Sequence, residues 1–180
     1  YLYSAFEEYQ KTGLPPVSAV VMEYPQDEAA RNLDDEYFFG KDLLVCPLTL
    51  EDGTSREVYL PEGNWYNFFT GEKIEGGRRL VLEADWNEML VFARDGALVP
   101  VAEPVICVTE DTVFNITVKS FGTNKTGSCV LYEDDFVSFN YESLVAKKQI
   151  NVTVGDNGKF IVSGAKTSTK YHFLNCIVKD

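Results

Sequence analysis

Histidine is nearly absent from this sequence: His172 stands alone near the end of a 180-residue chain. Zinc sites and histidine-based acid–base catalysis draw on clusters of His, Cys and carboxylates, so a lone imidazole supplies neither. Cysteine is scarce as well. Cys46, Cys107, Cys129 and Cys176 are far apart and form no C-x-x-C pair, which excludes the usual zinc and dithiol motifs. Each lies in an apolar run, as in Leu44-Val45-Cys46 and Ile106-Cys107-Val108, and is expected to be a buried free thiol, a disulfide being the alternative. Positive charge is in deficit, with 16 Lys and Arg against 28 Asp and Glu and a net charge of −12. Nucleic acid and anionic membrane surfaces need clustered basic residues, so neither is an expected partner. No apolar run has the length of a membrane span, and no secretory signal pattern is present. Nothing in the composition calls for a cofactor or a metal.

What is abundant is apolar and aromatic. Hydrophobic residues make up 45% of the chain, with 10 Tyr and 12 Phe. That is enough for a packed core. The first residues have helical spacing: Leu2, Ala5, Phe6 and Tyr9 fall at i, i+3, i+4 and i+7. Lys11 suits a helix C-terminus, Gly13 the position past it, and Pro15-Pro16 forbid continuation. Val17–Met22 follows, almost entirely apolar or small, and reads as a strand covered on both faces, as in a parallel sheet. A single helix–strand unit needs neighbours. The chain also opens in mid-helix without an initiator Met, so it is expected to be a piece of a longer one.

An acidic connector covers 25–40. Beyond it the pattern is β, with strand-like runs at 43–47, 56–60, 65–69, 79–82 and 89–93. Turn residues separate them, such as Glu62-Gly63-Asn64 and Thr70-Gly71-Glu72. After Pro104 come runs at 105–108, 113–118, 128–132, 150–154, 159–162 and 171–178. Asn157-Gly158 between two of these is a hairpin signal. The expected fold is mainly β: two small β-sandwich domains, 41–103 and 104–180, preceded by a helix–strand piece over 1–40.

Several stretches, in order, resemble glycoside hydrolase family 31, the α-glucosidases and α-xylosidases. They are Leu2-Tyr3-Ser4, Thr12-Gly13-Leu14-Pro15, Met22-Glu23-Tyr24-Pro25, Asp34-Asp35-Glu36-Tyr37, Phe39–Pro47, Tyr59–Tyr66, Phe69-Thr70-Gly71-Glu72, Phe92–Pro100 and Leu131-Tyr132-Glu133-Asp134-Asp135. The resemblance implies a C-terminal fragment of a retaining α-glycosidase. Residues 1–40 would be the last helix, strand and loop of its (β/α)8 barrel, and the rest its proximal and distal β-sandwiches. The implied partners are the remainder of the parent catalytic chain and the parent's oligo- or polysaccharide substrate. Uncovered, residues 1–24 are expected either to fold back on the proximal sandwich or to pair with another copy of the chain.

Glycoside hydrolysis needs two carboxylates facing each other across the scissile bond. The acidic doublets here, Asp34-Asp35 and Asp134-Asp135, cannot supply such a pair, because adjacent strand residues point to opposite faces. The family's catalytic motifs do not occur, so no catalytic residue is assigned and the fragment alone is expected to be inactive. Two residues are candidates for substrate contact. Asp27 follows the strand that resembles the last barrel strand, where the turn 24–27 would wall the parent's pocket; the alternative is a solvated loop carboxylate. Trp86, in the polar run Glu83–Glu88, could stack on a sugar ring. Trp65 reads as inter-sheet packing. A calcium site at 133–135 lacks the spaced ligands of a loop site. The rival reading of the whole is a free-standing carbohydrate-binding β-sandwich, which would have no need of the N-terminal helix and strand.

Overall fold

In the computed structural model, the described residues are 1–49, 54–85, 87–109, 111–122, 128–134, 139, 150–154, 159–163 and 170–179. The chain starts with helix α1 (Leu2–Thr12). Gly13 ends it in the left-handed conformation (φ 78°), donating its N–H to Tyr9 O. A Cβ would be unfavourable there, which is why glycine stands at this position.

Strand β1 (Val17–Ala19) and the one-turn helix α2 (Val20–Glu23) follow. This corrects the expectation of one strand buried on both faces over 17–22. The strand has three residues, pairs antiparallel with β2 (Tyr37–Phe39), and buries only Ser18. It is the edge of its sheet, and Val17 and Met22 are half exposed. An apolar run cannot distinguish a central strand from an edge strand leading into a helical turn.

Strands β3 (Leu43–Cys46), β4 (Ser55–Leu60), β5 (Asn64–Asn67), β6 (Lys73–Glu75), β7 (Arg78–Glu83) and β8 (Leu90–Arg94) come next. An antiparallel sheet of order β1-β2-β3-β8-β5-β6 faces the two-stranded β4-β7. Phe38, Leu44, Cys46, Trp65, Leu90 and Phe92 point into the space between them and meet Val58 and Leu60 of β4. The neighbouring residues on the same strands, Leu43, Val45, Tyr66, Val91 and Ala93, form a second core on the opposite face. The six-stranded sheet is therefore covered on both sides. That explains why Leu43–Cys46 and Leu90–Ala93 are unbroken apolar runs rather than alternating ones.

The cover on the second face comes from β9 (Leu98–Ala102) and β10 (Phe114–Phe121), through Val99 and Phe121. Both strands belong to a sheet of order β14-β10-β9, in which β14 (Tyr171–Lys179) runs parallel to β10. Leu98, Ile116 and Val118 point the other way, into a third core with Cys129 and Leu131 of β11 (Ser128–Leu131). The last sheet adds β12 (Ile150–Val154) and β13 (Phe160–Ser163), paired as the hairpin signal predicts; the turn residues Asn157-Gly158 lie outside the described residues. The result is a stack of sheets, mainly β as expected. Strand β9, just before Pro104, hydrogen-bonds to β10 beyond it.

Residues 105–108 were expected to be a strand and are irregular and exposed, Ile106 fully so. This corrects the reading of Cys107, which is an exposed thiol. Cys46 and Cys129 are buried, Cys176 is intermediate, and all four are free.

Candidate functional site

Several of the motifs picked out in the sequence meet where the first 40 residues pack against the rest of the chain. Helix α1 is held from two sides. The Tyr1 hydroxyl donates to Phe39 O (3.1 Å) and accepts the Asp42 N–H (3.1 Å). Gly40 lies under the Tyr1 ring at φ 61°, and a Cβ there would come within 2.4 Å of the hydroxyl oxygen. From the other side, Ser4 Oγ accepts the Tyr132 N–H (2.9 Å), and the Tyr3 hydroxyl donates to Asp134 Oδ2 (2.5 Å). The Tyr3 and Tyr132 rings pack 5.3 Å apart, and Tyr171 donates to Tyr132 O (2.8 Å). Burial, followed by the bonded and charged Asp134, pushes the Tyr3 hydroxyl well above its ordinary pKa. A groove of about 360 Å³ runs between α1 and these supports, lined by Tyr1, Glu8, Lys11, Lys41, Cys129 and Tyr132 among others.

A second set of contacts ties down the loop after α2. Arg94 makes an ion pair with Glu23 (3.1 Å). Its guanidinium stacks over Phe38 (4.4 Å) and Tyr24 (5.4 Å), a cation–π arrangement. Asp27 closes the turn on itself: its N–H donates to Tyr24 O, and its Oδ1 accepts the Ala29 N–H (2.9 Å). Its Oδ2 accepts the hydroxyl of Tyr59 on β4. Burial and the bond to Asp27 push the Tyr59 hydroxyl up to about 12.

The third set is buried. Arg56 of β4 lies in the inter-sheet space and bonds Asp35 Oδ2 (2.7 Å), Asp35 O (3.1 Å), Glu57 O (3.1 Å) and Pro47 O. Glu36 beside it is 4% exposed and accepts the Tyr59 N–H at 2.7 Å. Burial outweighs the bond and the arginine, raising Glu36 to about 7.

Of the two candidate contact residues, Asp27 is thus a half-buried carboxylate engaged by its own turn and by Tyr59, and Trp86 lies outside the described residues. Trp65 is buried between sheets, its indole N–H donating to Pro61 O (2.8 Å). His172 is exposed on β14. Among the described residues, no three metal-ligating side chains converge. Asp134 bonds Tyr3; Asp135 is outside the described residues. Sequence reading missed Tyr3, Ser4, Arg94, Glu36 and Arg56 as a set. Tyr3, Ser4, Arg94 and Glu36 stood inside motifs, but no local pattern links Tyr3 to a residue 131 positions away.

Residues 13–99 match the family model described as the glycosyl hydrolase family 31 C-terminal domain. The chain is 34% identical over 165 residues to alpha-glucosidase 2 of Bacillus thermoamyloliquefaciens, covering 91% of this chain and 21% of that protein. It is 32% identical over 143 residues to an alpha-xylosidase of Saccharolobus solfataricus, covering 79% of this chain and 19% of that one. Among solved structures, a family 31 dextranase of Flavobacterium johnsoniae superposes with a TM-score of 0.79 at 31% identity, over 90% of this chain and 20% of that one. The chain spans about a fifth of the length of these relatives.

Proposed function

Starting from a chain that belongs to glycosyl hydrolase family 31 as its C-terminal region, we propose that it serves as the accessory part of a retaining α-glycosidase, an α-glucosidase or α-xylosidase hydrolysing O-glycosidic bonds. Its work is to hold the last helix and loop of the catalytic barrel. Residues 41–103 and 104–180 act as two supports for residues 1–40.

The observation that carries this reading is the grip on α1. One face of the helix is bonded to Phe39 and Asp42 and to Tyr132 and Asp134. Leu2, Phe6 and Tyr9 remain 41%, 51% and 45% exposed. A helix anchored by polar contacts while showing apolar side chains outward is a docking surface, and its occupant is the rest of the catalytic chain. Where that occupant is missing, the same surface pairs copies of the chain. The turn 24–27, pinned by Tyr59 and Arg94, would stand at the pocket wall of the parent, with Asp27 shaping the turn; Trp86 is the candidate for stacking on sugar.

The chain carries no opposed carboxylate pair of its own in this reading. Alone, it should release no nitrophenolate from nitrophenyl α-glucoside or α-xyloside, whereas the same chain on its full reading frame should turn over one of them. Turnover by the chain alone that Asp27→Asn or Asp134→Asn abolishes would sink the proposal.

A further inference from the structure

Glu36 is a buried carboxylate whose nearest cation among the described residues, Arg56, is already committed. Arg56 spends Nε on Glu57 O, Nη1 on Asp35 O and Pro47 O, and Nη2 on Asp35 Oδ2 at 2.7 Å. Nη2 is 3.5 Å from Glu36 Oε1, at the limit of a hydrogen bond. Glu36 Oε1 has the Tyr59 N–H; Oε2 is buried with no nitrogen or oxygen partner among the described residues. The groups facing it are Arg56 and the Tyr59 amide on β4, Asp35 on its own segment, Arg79 on β7, and Cys46 on β3. Cys46 is fully buried, and its thiol is pushed far up, first by that burial and then by the neighbouring Glu36 charge. An ionised Glu36 would therefore occupy a dry site whose nearest counter-charge is shared and at the limit of bonding distance. Burying a charge without full pairing is unfavourable, whereas a neutral carboxyl there keeps its bond to Tyr59 without that penalty.

We propose that Glu36 is a proton-operated latch: neutral, it closes the acidic connector 25–40 onto β4; ionised, it loosens that contact. The connector carries the Asp27 turn, so the latch sets how firmly the turn is held. The sign follows from where the carboxyl titrates in the fold. The folded value is about 7 against an ordinary 4.5, so the latch is fully closed below about pH 4.5. It weakens as pH rises toward 7 and changes no further above that.

Hydrogen exchange of the Tyr59 amide, corrected for intrinsic rate, reads the contact directly. Between pH 5 and 7 its protection should fall by roughly tenfold or more, because the closed contact holds the proton and the open one gives it up to water over that range. Glu36→Gln should keep the acid-side protection and remove the pH dependence. Asp35→Asn frees the guanidinium for Glu36 and should move the midpoint to lower pH. The carboxyl 13C resonance of Glu36 in the unmodified chain gives the midpoint even if a variant fails to fold. A midpoint in the ordinary carboxylate range, an unchanged pH profile in Glu36→Gln, or a midpoint that Asp35→Asn leaves in place or raises would each overturn the latch.

Discussion

At the scale of single residues, the packing of the first 40 residues against the rest depends on close approach and on shared charge. Gly40 is required twice over, by its positive φ and by the Tyr1 ring lying on it. Gly40→Ala should lose about 1–2 kcal/mol from the left-handed backbone alone, and more from the collision with Tyr1. A double-mutant cycle in urea separates the two: Tyr1→Ala should remove the second part and leave the first. Equal losses in both backgrounds would show that the ring is not the obstacle. Arg56 is the other residue on which much rests. Arg56→Met leaves Glu36 without its cation, and breaking a buried pair this way removes about 3–5 kcal/mol. Because Glu36 is raised to about 7, the loss should be larger at pH 8 than at pH 5, where the carboxyl is neutral. Chemical denaturation at the two pH values measures it, and a loss independent of pH would point to packing alone.

At the scale of elements, α1 and β14 are the informative pieces. Helix α1 has no buried residue, so its place is decided by the bonds from Tyr1, Tyr3 and Ser4 and by whatever covers Leu2, Phe6 and Tyr9. Burial of apolar area is worth about 25 cal/mol per Å², so this uncovered face favours association. Deleting residues 1–24 should shift the chain from dimer or larger to monomer in sedimentation. A monomeric intact chain, unaltered in size and melting by the deletion, would contradict the docking-surface reading. Strand β14 works differently. Its parallel ladder with β10 closes the β14-β10-β9 sheet, and Lys179 at its end reaches Phe69 O and Thr70 O in the turn after β5. Lys119 of β10 lies beside it over the Phe68 ring at 4.1 Å, its pKa lowered by burial and then by Lys179. The Lys119→Ala, Lys179→Ala pair should expose the 68–70 turn to proteolysis while leaving far-UV circular dichroism β-dominated. A collapse of the β signal would mean that the lysines hold the sheet rather than its contact with the 68–70 turn.

At the scale of the whole molecule, much of the plan was legible. The helix and its glycine stop followed from 3.6-residue spacing and backbone sterics, both local. Most strands followed from short apolar runs and turn residues, also local. Family membership followed from motifs that stand in the family's order along the chain. Strands β2, β6 and β9 were not singled out, since three to five residues without alternation carry little signal. The irregular, exposed stretch 105–108 deceived for the opposite reason: its apolar residues look like a strand but find no partner strand among the described residues. The sequence by itself determined the β character, the glycine stop of α1 and the family, all of which depend on neighbours a few residues apart. Only the tertiary structure decided that the six-stranded sheet is covered on both faces, that Tyr3 meets Asp134, and that Arg56 serves Asp35 before Glu36. Those outcomes depend on packing between distant segments and on how burial weights each charge, and neither quantity is written in any local stretch of the chain.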